Sequence, residues 1–207
     1  MTPDEIAALF TRTDGTFLFA RWGRPLAPVI FGLADETMPV MKGAIEAVAA
    51  LAGREVAEID PELGANLMVF FCADWDEIAD VPNLDRLIPD LAPLLDRLRG
   101  AEANQYRVFR FDNAGAIRAA FVFVRMDVHL EAAGAEAVAL SQAVQTILLW
   151  SDAAFTDASP LGRVGGAVVL KPEIAGLIRA AYDPALPDMG QDAALAYRIA
   201  ARQEALQ

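Results

Sequence analysis

Three carboxylates and an indole run together in Cys72-Ala73-Asp74-Trp75-Asp76-Glu77. Clustered carboxylates are hard oxygen donors suited to Mg²⁺ or Ca²⁺, and strand ends are common places for ligands. A divalent-cation-dependent enzyme centred on Asp74, Asp76 and Glu77, with Trp75 beside them, is therefore one candidate function. The plainer reading is that Asp74 caps a turn and Trp75 covers a strand end, since the Asp-x-Asp-x-Asp-Gly spacing of a calcium loop is missing. His129 is the only histidine, so a two-histidine metal site within one chain is impossible. No nucleophile motif flanks it, and it reads as a solvated loop residue. Cys72 is also alone, which excludes an internal disulfide, and its apolar surroundings mark a buried, inert thiol. Gly162-Arg163-Val164-Gly165-Gly166 offers backbone N–H groups for an anion nest, yet it lacks a phosphate loop's Lys-Ser/Thr and is followed by an extended Val168–Leu170. A flexible turn is the simpler account. Arg21-Trp22-Gly23-Arg24-Pro25 either presents a cation and an indole to a partner or closes a hairpin.

The elements that must position these residues follow from periodicity. Thr2-Pro3-Asp4-Glu5 supplies a capping hydroxyl, a first-turn proline and two acids, predicting a helix to about Thr11. Thr16–Trp22 and Ala27–Leu33 read as strands joined through Gly23-Arg24-Pro25. Met41, Ile45, Val48 and Leu51 fall at helical spacing between Asp35 and Gly53. Asn66–Ala73 is a continuous apolar run, which predicts a central strand buried on both faces. Leu87, Leu91, Leu94, Leu95 and Leu98 give Leu84–Arg99 one apolar face, with Pro89 and Pro93 starting or kinking its helix. Tyr106–Phe111 and Ala116–Met126 alternate around Asp112-Asn113-Ala114-Gly115, a hairpin signal. Helices are expected over 133–151, Pro172–Ala181 and Gln191–Leu206. Strands interleaved with helices, together with hairpins, favour a single α+β domain with a twisted mixed sheet packed against helices over a doubly wound one. Residues 1–130 would be its helix-and-sheet part and 131–207 a helical C-terminal part.

Charge narrows the partners. The 207-residue chain has 29 acids against 17 bases and a net charge of −12, with no basic run to offset it. Phosphate backbones and anionic membrane surfaces would be repelled, so nucleic acid and membranes are poor partners. The uncharged stretch Ala137–Ser151 contains Ser, Gln and Thr, and falls short of the about 20 apolar residues of a spanning helix. MTPDEIAALF carries acids where a signal peptide needs positive charge, so a cytoplasmic location is expected. At 55% apolar residues, the chain also invites the reading of a homo-oligomer with an apolar assembly face.

Three features share the C-terminal third: Ser141–Asp152 (SQAVQTILLWSD), Ala158–Gly162 (ASPLG), and Val168–Pro184 (VVLKPEIAGLIRAAYDP). Their order resembles the end of matrixin-like zinc metalloproteases, where an H-E-x-x-H-x-x-G-x-x-H helix precedes a Ser- and Met-containing turn and a short helix. It is more similar to an uncharacterised, mostly exported proteobacterial family whose helix is already eroded to Glu-x-x-Gln. That family also shares a Tyr-Asp-Pro segment followed by Gly-Met or a similar pair, comparable to Tyr182-Asp183-Pro184 with Met189-Gly190. Arg21-Trp22 with Pro25, the 35–53 helix and the Asn66-led strand extend the likeness over most of the chain.

The resemblance implies a zincin-like core. It assigns Ser141, Gln145 and Ser151 to the zinc-ligand positions and Gln142 to the general-base position. Two hydroxyls and an amide are weak zinc donors, and a neutral amide cannot take a proton from water. Leu148 stands where the pattern has Gly, and should continue the helix and fill the former site. The expectation is a non-catalytic protein of that lineage, with no metal or cofactor, binding an unidentified protein or small ligand.

Overall fold

The computed structural model describes residues 1–206. Helix α1 (Pro3–Phe10) starts as its sequence predicts: the Thr2 hydroxyl accepts from the Glu5 N–H, and the Glu5 carboxylate accepts from the Thr2 N–H. Next come β1 (Phe19–Ala20), β2 (Pro28–Phe31) and α2 (Met38–Leu51), then β3 (Leu67–Cys72). Three helices follow, α3 (Trp75–Ala79), α4 (Leu84–Leu87) and α5 (Leu91–Gly100), and lead into β4 (Gln105–Phe111) and β5 (Ile117–Arg125). The rest comprises α6 (Val128–Ala133), α7 (Ala135–Ile147), β6 (Leu161–Val164), β7 (Ala167–Leu170), α8 (Pro172–Ala181), β8 (Met189–Gly190) and α9 (Ala194–Ala205).

The fold is α+β with a mixed central sheet ordered β2-β3-β5-β4. The first three strands are parallel, and β4 runs antiparallel along β5. Alternation explains the apolar run of β3. Leu67, Val69 and Phe71 face a core that includes Met41, Ile45 and Val48 of α2 and Val138, Ala143 and Val144 of α7. Phe70 and Cys72 face the other side, against Trp75, Ile78 and Leu94, Leu95 and Leu98 of α5. Burying such side chains stabilises the fold by about 1.5–3 kcal/mol each. The β4–β5 hairpin turns at Asp112–Gly115, where Asp112 Oδ1 accepts from the Ala114 and Ala116 N–H groups.

Four expectations need correction. Residues 16–22 and 27–33 do not form a hairpin. Phe19–Ala20 pairs with Met189–Gly190, Arg21 bridges Leu148, and β2 lies parallel to β3. Leu87 is exposed rather than on the apolar face, because the chain breaks at Ile88–Asp90 around Pro89 and restarts as α5. The 131–207 part is not purely helical: β6 and β7 form a hairpin through Gly165 (φ +56°) and Gly166 (φ +87°), and β8 pairs back to β1. The fourth is the end of α7, at Ile147 rather than 151, with Leu148 extended (φ −134°, ψ 158°). Helix propensity loses there to tertiary capping. The Trp22 indole donates to the Thr146 carbonyl (2.9 Å), the Tyr182 hydroxyl to that of Ile147 (2.6 Å) and the Trp150 indole to that of Val144 (2.8 Å). Among the described residues, no helix is long and apolar enough to cross a membrane.

Candidate functional site

Edge strand β4, the middle of α7 and the loop after α7 enclose a groove of about 840 Å³. Successive side chains of a strand point to opposite faces. Tyr106 and Val108 pack against the α3–α5 side, while Phe109 packs on the α7 side. Arg107 shares the face of Phe109, and its Nη2 donates to Gln105 Oε1 (2.9 Å) and to Gln142 Oε1 (2.5 Å). Gln142, 1% exposed, also donates from Nε2 to Gln105 Oε1 (3.1 Å). One turn along α7, Gln145 Nε2 donates to Ser141 Oγ (2.8 Å). Both residues are half-buried and line the groove.

Ser151 lines the same groove from beyond the helix end, held by its N–H to the Leu9 carbonyl (2.9 Å). Ser141, Gln145 and Ser151 thus line one groove, while Gln142 is buried. Leu148 does not fill the groove, as expected from sequence. It is fully buried in the α2–α7 core, and Leu149 and Trp150 line the groove instead. Trp150 stacks on Phe10 (5.3 Å between centroids) and meets Phe155 edge-on (4.9 Å). Phe155 has φ +64°, a conformation that a bulky side chain adopts only under constraint.

On this wall Arg107 has amide partners and, among the described residues, no carboxylate partner. Burial pulls Arg107 down to about 10, and it remains charged at neutrality. Its Nε is buried without a hydrogen-bond partner. Among the described residues the ion pairs involve Arg21, Arg24, Arg99, Arg118 and Arg202, and none involves Arg107. Asp152, also on the groove, is held below the usual carboxylate range by hydrogen bonds from the Thr13 hydroxyl (2.6 Å) and N–H (2.9 Å).

The other sequence candidates lie elsewhere. Asp74 caps α3, its side chain accepting from the Asp76 N–H (2.9 Å), while Glu77 accepts from the Ala73 and Asp74 N–H groups. Asp76 pairs with Arg99, and Trp75 is buried with its indole donating to the Ala103 carbonyl (3.2 Å). Each carboxylate is engaged locally. Among the described residues, no three His, Cys, Asp or Glu side chains gather into a group able to hold a metal. His129 is exposed in the first turn of the short α6 rather than in a loop, and the Cys72 thiol is pushed up to about 12 by burial. Arg21 and Trp22 are buried within the chain and do not close a hairpin. Arg21, 4% exposed, donates to the Ala181, Asp183 and Leu186 carbonyls and pairs with Asp188 (2.6 Å).

Sequence reasoning missed Gln105, Arg107, Trp150 and Phe155. Strand alternation carried a partial signal, since it puts Arg107 on the same face as Phe109. That an arginine there would meet a helix glutamine depends on the packing of α7. No protein-family model, curated protein or solved structure matches the chain.

Proposed function

We propose that the chain is a metal-free binding protein on a zincin-like frame, holding a small ligand or partner segment in the β4–α7 groove without hydrolysing it. Two features support the frame. An antiparallel edge strand borders the groove over the 141–145 face of α7, and the chain leaves the helix at Leu148, the position where the metalloprotease pattern has its glycine. One observation carries the binding reading: the amide at the general-base position, Gln142, is fixed between Gln105 and a guanidinium. A positive charge there opposes a metal cation, and an amide receiving that hydrogen bond has no basicity to offer. Ser141, Gln145 and Ser151 do not fit zinc, which prefers imidazole, thiolate and carboxylate donors. A roomy groove with convergent polar groups remains, which is the form of a ligand site.

The test is amide NMR of the protein against a panel of small neutral and charged fragments. Shifts should concentrate in residues 105–109, 141–145 and 149–156, and should disappear when Ser141→Trp blocks the groove. Binders whose shifts lie consistently elsewhere and survive Ser141→Trp would overturn the assignment.

A further inference from the structure

We infer that the β4–α7 groove selects a monocarboxylate with a flat apolar body, and that Arg107 is its counter-charge. The inference rests on the groove being the binding site, and adds the chemical class of what it binds. In a chain with 29 acids and 17 bases, an arginine at a concave site would ordinarily find a carboxylate. Arg107 has none: two neutral amide oxygens hold Nη2, and Nε has no partner. A half-buried cation held only by dipoles, with one N–H unpaired, keeps hydrogen-bonding capacity that an anion can take up. A charge-assisted hydrogen bond to a carboxylate is roughly twice as strong as a neutral one.

The surroundings set the valence and the body of the ligand. Arg12, Asp152 and Asp157 also line the groove, so its four charged side chains sum to zero. A monoanion adds a single charge to this balanced set, whereas a phosphate dianion adds two beside Asp152 and Asp157. Trp150 and Phe155 form an aromatic corner on the same groove, their rings edge-on at 4.9 Å. A flat apolar group packs there edge-on or offset. Ser141 and Gln145 lie on the α7 wall and can exchange their mutual hydrogen bond for one to the carboxylate.

Benzoate and benzamide have the same shape and differ in charge, and they make the test. In melting experiments at constant ionic strength, benzoate should raise the wild-type melting temperature progressively and benzamide should not. Arg107→Met should lose the benzoate response, and Arg107→Lys should keep a response weakened about tenfold or more in apparent affinity. Inorganic phosphate should act more weakly than benzoate, and a peptide with a free carboxyl terminus should do no better than benzoate. Should Arg107→Met fail to fold, benzoate must still move the side-chain amide signals of Gln142 and Gln145 and the Trp150 indole signal in wild type. No wild-type response to benzoate, or an equal response in Arg107→Met, overturns the inference. If benzamide binds as well as benzoate and Ser141→Trp abolishes both, the charge selection falls while the groove stands as the site.

Discussion

At the scale of single residues, the molecule is organised by a few buried polar side chains that satisfy backbone groups far away in sequence. Tyr182 donates to the Ile147 carbonyl and accepts from the Trp22 N–H (3.1 Å), joining α7, α8 and the 16–22 segment at one oxygen. Tyr182→Phe leaves both backbone groups without that partner, and should cost about 1–3 kcal/mol in urea denaturation. A loss within error would mean that water replaces the hydroxyl. Asp60 does similar work at the head of β3. Burial pushes its carboxyl up, but the Glu62 and Leu63 N–H groups, the Asn66 amide and Arg24 outweigh this and hold it at about 2, against an ordinary 3.8. A depressed folded value means a stabilisation fully present above pH 3.8 and lost as pH falls toward 2. Urea midpoints of the wild type should fall more steeply over that interval than those of Asp60→Asn, and the variant should be weaker by about 1–2 kcal/mol near neutrality. Parallel pH profiles for the two proteins would remove Asp60 from the acid sensitivity.

At the scale of elements, local signals were legible and distant pairings were not. The Thr2 cap, the 38–51 helix, the double-sided burial of β3 and the β4–β5 hairpin each follow from residues close in sequence. The pairing of β1 with β8 does not, because each strand has two residues and the partners lie about 170 positions apart in sequence. The end of α7 is not legible for the same reason, since Leu148 has helical propensity and contacts from Trp22, Tyr182 and Arg21, distant in sequence, draw it out of the helix. The candidate site was half legible. Ser141, Gln145 and Ser151 are named by the resemblance to the metalloprotease helix, while Arg107 and Gln105 come from a strand whose sequence does not state what faces it. One element contact can be tested by itself. Gly32, just after β2, has φ +77°, and a Cβ there would lie 1.9 Å from the Phe71 carbonyl oxygen of β3. Backbone cannot yield as a side chain does, so Gly32→Ala should lose more than about 2 kcal/mol or fail to accumulate as folded protein. Near-wild-type melting would show that the β2–β3 pairing tolerates a shift at its end.

At the scale of the whole molecule, charge and groove act together. A net charge of −12 implies self-repulsion in the folded state, with few ion pairs to set against it. Added sodium chloride should therefore raise the melting temperature, as screening relieves more repulsion than attraction. A fall would assign the larger share to attraction. Within that acidic field Arg107 has no ion-pair partner among the described residues, which ties the proposed ligand class to the molecule's overall electrostatics. The groove proposed as the binding site offers Ser141, Gln145 and Ser151 beside Arg107, a set unsuited to holding a metal cation. Metal content by mass spectrometry, on protein purified without chelator and then incubated with zinc and dialysed, tests this most directly. The account predicts zinc far below one ion per chain. One retained ion per chain, lost in a Ser141→Ala/Gln145→Ala variant that still folds, would contradict it.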